Sequence, residues 1–101
     1  PHLRNYKQKI QAINGDSKVN YIQLQQLLTE AIVDTYHIRE TGGAHKLLQQ
    51  LEEKKVPRNI VEEVAFLLEQ CEAVLYFNAA AAIPFDQLKQ RAAAVIVIAT
   101  I

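Results

Sequence analysis

Methionine is missing from this chain, cysteine occurs once, and glycine and proline occur three times each. Charge of one sign is also missing, because 11 basic and 11 acidic side chains cancel. Each scarcity excludes something. A lone Cys71 has no internal partner, so nothing points to a secreted fold stapled by disulfides. Three glycines and three prolines are too few for an all-β domain, which needs a turn signal every ~8–12 residues. The longest apolar run, residues 92–99, is far short of the ~20 residues that span a bilayer. A balanced charge gives no overall attraction to nucleic-acid phosphates. A chain that opens on Pro1 and has no methionine is expected to be a piece of a longer protein.

What the chain does have is apolar bulk, 50% of 101 residues. That argues against disorder and suffices for one domain over 1–101, burying roughly two-thirds of its unfolded surface.

The apolar positions follow a helical period in five segments. In residues 2–14, Leu3, Tyr6, Ile10 and Ile13 share one face, and Gly15 supplies a left-handed stop. The charges there are all positive, Arg4, Lys7 and Lys9, with His2 besides. Asp16 or Ser17 can cap a second helix. Its wide stripe of Val19, Ile22, Leu24, Leu27, Leu28, Ala31, Ile32 and Tyr36 implies burial against several neighbours. Its end is expected near residues 38–43, where Gly42-Gly43 makes further helix costly.

Residues 44–54 form a short third helix with Leu47, Leu48 and Leu51, and Lys54 and Lys55 favour its negative end. Pro57 suits the first turn of a fourth helix, where Ile60, Val61, Val64, Leu67, Leu68, Cys71, Val74 and Leu75 keep the period for four turns. Asn78 can stop that helix, although Ala79 to Ala82 are good helix formers. Pro84 opens the fifth, with Phe85, Leu88, Ala92, Val95 and Ala99 on one face. Its β-branched tail, residues 95–98, has strand propensity but no strand to pair with, so it reads as helix.

The expected fold is therefore a small all-α orthogonal bundle of four to five helices. Its core is assigned to Leu24, Leu28, Ile32, Leu47, Leu51, Ile60, Val64, Leu67, Leu68, Cys71, Leu75, Phe85, Leu88 and Val95.

Reactive constellations are not evident. His37, His45, Glu40 and Cys71 are metal-binding types, but the two histidines lie eight apart across Gly-Gly and lack the spacing of ligands on one helix. Cys71 falls among core leucines, where a thiol is inert. Glu52-Glu53 and Glu62-Glu63 are adjacent pairs that diverge by about 100° on a helix, so neither pair converges on one bond. No phosphate loop, nucleophile elbow or zinc-protease helix is present. An enzyme is not expected, and neither is a cofactor or metal.

Residues 47–68 also have the outline of a helix-turn-helix, yet behind Arg58 and Asn59 the second helix carries Glu62, Glu63, Glu69 and Glu72, which oppose phosphate. A nucleic-acid-binding domain of a regulator and a structural dimerisation or spacer module are the alternatives to a protein-interaction domain.

A family resemblance runs through this same region. Leu47-x3-Leu51, Lys55-Val56-Pro57 and Ile60-x3-Val64-x2-Leu67-Leu68-x2-Cys71-Glu72-x3-Tyr76 resemble the C-terminal helical domain of BatD, the bacterial oxygen-tolerance (aerotolerance) family. Ala31-Ile32 and Tyr36 are similar to the family's preceding helix, so the likeness covers about residues 24–88. Lys55 stands where the family often has glycine, and Tyr76-Phe77-Asn78 replaces Tyr-Ala-Pro.

The resemblance implies a non-enzymatic domain at the cytoplasmic face of the bacterial inner membrane, anchored by a membrane segment outside this chain. It also implies protein partners, namely von Willebrand A-domain membrane proteins and a MoxR-type AAA+ ATPase. The basic Arg4, Lys7 and Lys9 suit a segment just inside a membrane, and the unpaired Cys71 suits a reducing compartment. The candidate docking residues are the turn charges Lys54, Lys55 and Arg58 and the acids Glu62, Glu63 and Glu69, each of which alone reads as an ordinary solvated charge.

Overall fold

The computed structural model describes residues 3–15, 17–38 and 43–100, and the side chains within 6–15, 17–38 and 43–98. Over these it is a small all-α bundle of five helices, α1 (Leu3–Gln11), α2 (Lys18–Tyr36), α3 (Ala44–Glu53), α4 (Arg58–Tyr76) and α5 (Phe85–Thr100). Helix α5 lies against α1, α2 and α4, while α3 packs on α4.

The cause is the distribution of apolar side chains. On α5, Phe85, Leu88, Ala92, Val95 and Ile96 recur at helical spacing and are buried. They meet Ile10 and Ile13 from the α1 region, Leu24, Leu28 and Ile32 of α2, and Val64, Leu67, Leu68 and Cys71 of α4 in one core. The β-branched tail stays helical because burying Val95 and Ile96 outweighs its modest strand preference. Tyr21 and Phe85 join α2 to α5, with ring centroids 4.8 Å apart in a tilted arrangement.

Of the fourteen assigned core residues, Leu75 alone is not buried; it is half-buried at the edge of the core. The α2 stripe is also narrower than its sequence suggests. Val19 and Ile22 are exposed, because α2 turns only the side bearing Tyr21, Leu24, Leu28, Ala31 and Ile32 to its neighbours.

The helix ends explain the loops. Ser17 occupies the N-cap of α2, but its hydroxyl makes no capping hydrogen bond; Asp16 and Gly42 lie outside the described residues. Pro57 sits one position before the first turn expected for it, at the N-cap of α4, where its carbonyl accepts from the amides of Ile60 and Val61. Pro84 serves α5 likewise, accepting from Gln87 and Leu88.

Gly15 takes φ 88, the left-handed stop its position called for, though α1 itself ends at Gln11. The Lys89 ammonium then donates to the carbonyl oxygens of Gln11 and Ile13, placing a cation at the negative end of α1.

Helix α3 closes with a Schellman motif. The Val56 amide donates to the Leu51 carbonyl and the Lys55 amide to that of Glu52, while buried Val56 and Leu51 make the accompanying apolar contact. That geometry sets Lys55 at φ 60.

Helix α4 stops at Tyr76 and Asn78 turns left-handed at φ 53, so Ala79 to Ala82 do not extend it. Buried Gln70 explains why: its side-chain oxygen accepts from the Ala82 amide at 2.6 Å, and the Ala79 amide donates to the Ala73 carbonyl. Those bonds take amides that a longer helix would use, and they outweigh alanine's propensity.

Two stability predictions follow from this packing. Leu67→Ala, which removes a side chain only 1% exposed, should cost ~2–5 kcal/mol in denaturant unfolding. A loss below about 1 kcal/mol would mean that the site collapses without a cavity. Lys55→Gly should stabilise by about 1 kcal/mol, since only glycine holds a left-handed backbone without strain. Thermal melts should show the midpoint rising by about 4–8 °C.

Candidate functional site

The turn between α3 and α4 carries the charges singled out by sequence, and the structure separates them. Lys54 caps α3, and Lys54 and Lys55 are both exposed. Arg58, the first residue of α4, bonds Glu62 one turn on, Nε to Oε1 at 3.2 Å. Both side chains are largely in water, so this pair adds little stability.

Glu62 and Glu69 are seven residues apart and share a side of α4, whereas Glu63 points about 100° away from Glu62. Glu63 faces α5 instead. Its carboxylate takes two bonds from the Arg91 guanidinium, one of them from Nε at 2.7 Å. Arg91 also lies over the Phe66 ring, 4.4 Å from its centroid. Arg91 is the side chain that the sequence reading left without a role, because a pairing across 28 residues has no local signal.

Beside that turn, α3 and α4 enclose a cleft of about 500 Å³. Leu48, Val56, Val61 and Ala65 provide apolar lining, and Glu52, Arg58 and Glu62 the charged rim. The arrangement brings Arg58 and Glu62 to one apolar depression; Lys54, Lys55, Glu63 and Glu69 do not line it. A wider groove of about 680 Å³ runs between α1 and α5 over Ala93, Ala94, Val97 and Ile98. One of the two lysines there, Lys89, is engaged with the end of α1.

The candidate reactive groups are dispersed. His37 caps α2 in a left-handed conformation at φ 56, and His45 is exposed near the start of α3. Glu40 lies outside the described residues. Among the described residues no three His, Cys, Asp or Glu side chains gather in a way that could hold a metal ion. Cys71 is fully buried, and burial, helped by the charge of Glu72, pushes its thiol up to about 12. On α1, the Tyr6 hydroxyl donates to Asp34 Oδ2 at 2.8 Å. That bond, with burial and the charges of Asp34 and Glu30, pushes its phenol up to about 12. None of the described helices is long and apolar enough to cross a membrane.

Comparison with known proteins returns no match among family models, curated proteins or solved structures.

Both raised groups hold their protons more tightly in the folded chain than in the unfolded one. Their contribution to stability is therefore complete at neutral pH and lost as pH climbs from the ordinary thiol and phenol range towards about 12. Denaturant midpoints should fall over that interval. At pH 8, iodoacetamide should label Cys71 slowly in the native protein and quickly in denaturant; equal rates would contradict its burial.

Proposed function

We propose that this chain is a non-enzymatic protein-interaction domain of a BatD-like membrane protein. It works at the cytoplasmic face of the bacterial inner membrane, held there by a segment outside this chain. Its partners are the cytoplasmic parts of A-domain membrane proteins and a MoxR-type ATPase. The observation that carries the interaction reading is the α3–α4 cleft, whose apolar lining and rim of both charge signs suit an amphipathic protein segment.

Two further features support it. Lys55 takes φ 60, the conformation suited to the glycine that the BatD family often has at that position. Helix α1 carries Arg4, Lys7 and Lys9 and no acid, the charge bias of a segment near an anionic membrane surface.

Affinity capture of the whole chain with the A-domain proteins and the ATPase encoded beside it tests this reading. Charge reversal at Lys54, Lys55, Arg58, Glu62 and Glu69, with Glu63 left to hold Arg91, should weaken capture roughly tenfold at unchanged helicity. Undiminished capture would remove this surface from the interaction.

A further inference from the structure

The shape of the α3–α4 cleft and the charges around it narrow the chemistry of what it holds. Glu52, near the end of α3, shares the cleft with Arg58, Val61 and Glu62 at the start of α4. Ala44, at the beginning of α3, lies instead with Leu68 and Tyr76 further along α4. The two helices are therefore antiparallel, and the cleft is part of the furrow between them. A furrow between two antiparallel helices is a seat for a third helix lying along both.

The charges along this furrow are predominantly negative. Glu62, Ala65, Glu69 and Glu72 fall within about 80° of one another around α4. Glu62 and Glu69 are exposed and Glu72 is half-buried, so a row of carboxylates about 15 Å long runs beside the apolar floor. Glu52 stands on the α3 wall. Against these four acids the cleft offers one base, Arg58, and Glu62 already engages it. Among the described residues no basic side chain bonds Glu52, Glu69 or Glu72. Lys54 and Lys55 do not line the cleft, and Lys46 lies about 160° round α3 from Leu48.

Resting on the reading of this cleft as the interaction site, we propose that its occupant is a cationic amphipathic helix of a partner protein. The apolar side of that helix sits over Leu48, Val56, Val61 and Ala65. Lysine or arginine on its flanks meets Glu69 and Glu72 along α4 and Glu52 on α3. Binding of a helix in a groove takes an apolar seam, which the cleft supplies, and anchors along one side of the incoming helix. Complementary charge then selects the partner. The three carboxylates without a basic partner favour lysine and arginine and oppose an acidic helix. They also repel nucleic-acid phosphates and anionic lipid headgroups, so neither competes for the furrow. A row of about 15 Å matches about ten residues of the incoming helix.

Fluorescence anisotropy with two labelled peptides, each long enough for about three to four helical turns, tests the proposal on the whole chain. Both carry the same leucines at helical spacing; one has lysine on its flanks and the other glutamate. The cationic peptide should bind at least about tenfold tighter than the acidic one, and salt should weaken it. Glu69→Gln and Glu72→Gln should each weaken it about threefold. Asp86→Asn, which removes the same charge from the groove between α1 and α5, should leave it unchanged. Ala65→Lys, which sets a cation on the apolar floor, should weaken it about tenfold at unchanged helicity. Equal binding of the acidic peptide, no binding of the cationic one at about 1 mM, or an equal loss from D86N would overturn the cationic occupant. Capture of the encoded neighbours does not depend on these peptides. Capture that persists while the cationic peptide fails to bind removes the cationic occupant alone. Peptide binding without capture supports the occupant and removes the BatD-like assignment.

Discussion

Burial of one side of α5 is the constraint on which the bundle depends. Helices α1, α2 and α4 each meet that side, and α3 enters the structure through α4. With Phe85, Leu88, Ala92, Val95 and Ile96 in place, the last sixteen residues of α-helix are as central as any segment of the core. Polar contacts at its edges then fix how α5 lies. Lys89 binds the carbonyl end of α1, and Arg91 binds Glu63 of α4. These two cations orient α5 between its neighbours, while the apolar stripe supplies most of the free energy.

The connections are governed by a second pattern, left-handed residues that are not glycine. His37 ends α2, Lys55 follows the cap of α3 and Asn78 follows that of α4. Asparagine tolerates this backbone better than histidine or lysine. What holds the other two is the apolar residue that follows, since Ile38 and Val56 are both buried immediately after the turn. The candidate docking charges beside the α3–α4 cleft sit on such a turn, so their placement follows from the burial of Val56.

Most of the architecture could be read from residue spacing because helical period and burial coincide in α1, α3, α4 and α5. Ile10, Leu47, Leu51, Val64, Leu67, Leu68, Leu88 and Val95 fall where the period puts them. The failures share a cause. Val19 and Ile22 extend an apolar stripe beyond the side that has neighbours, and periodicity cannot report where the neighbours end. Ala79 to Ala82 have strong helix propensity, yet the Ala82 amide is taken by Gln70, twelve residues away. The charges of the candidate surface were visible in sequence, but their division was not. Whether an acid meets its own helix, as Glu62 does, or another helix, as Glu63 does, depends on packing that no local pattern encodes.

The pairing of α1 with α5 has a topological consequence. Lys89, early in α5, touches the end of α1, while Lys7, nearer the start of α1, lines a groove with Val97 and Ile98 near the end of α5. The two helices are thus antiparallel, and the first turn of one lies beside the final turns of the other. Polypeptide entering and leaving this unit would do so at the same pole. Such a unit lends itself to insertion between two halves of another domain, or to circular permutation with a short bridge across that pole and a new opening in the loop between α4 and α5.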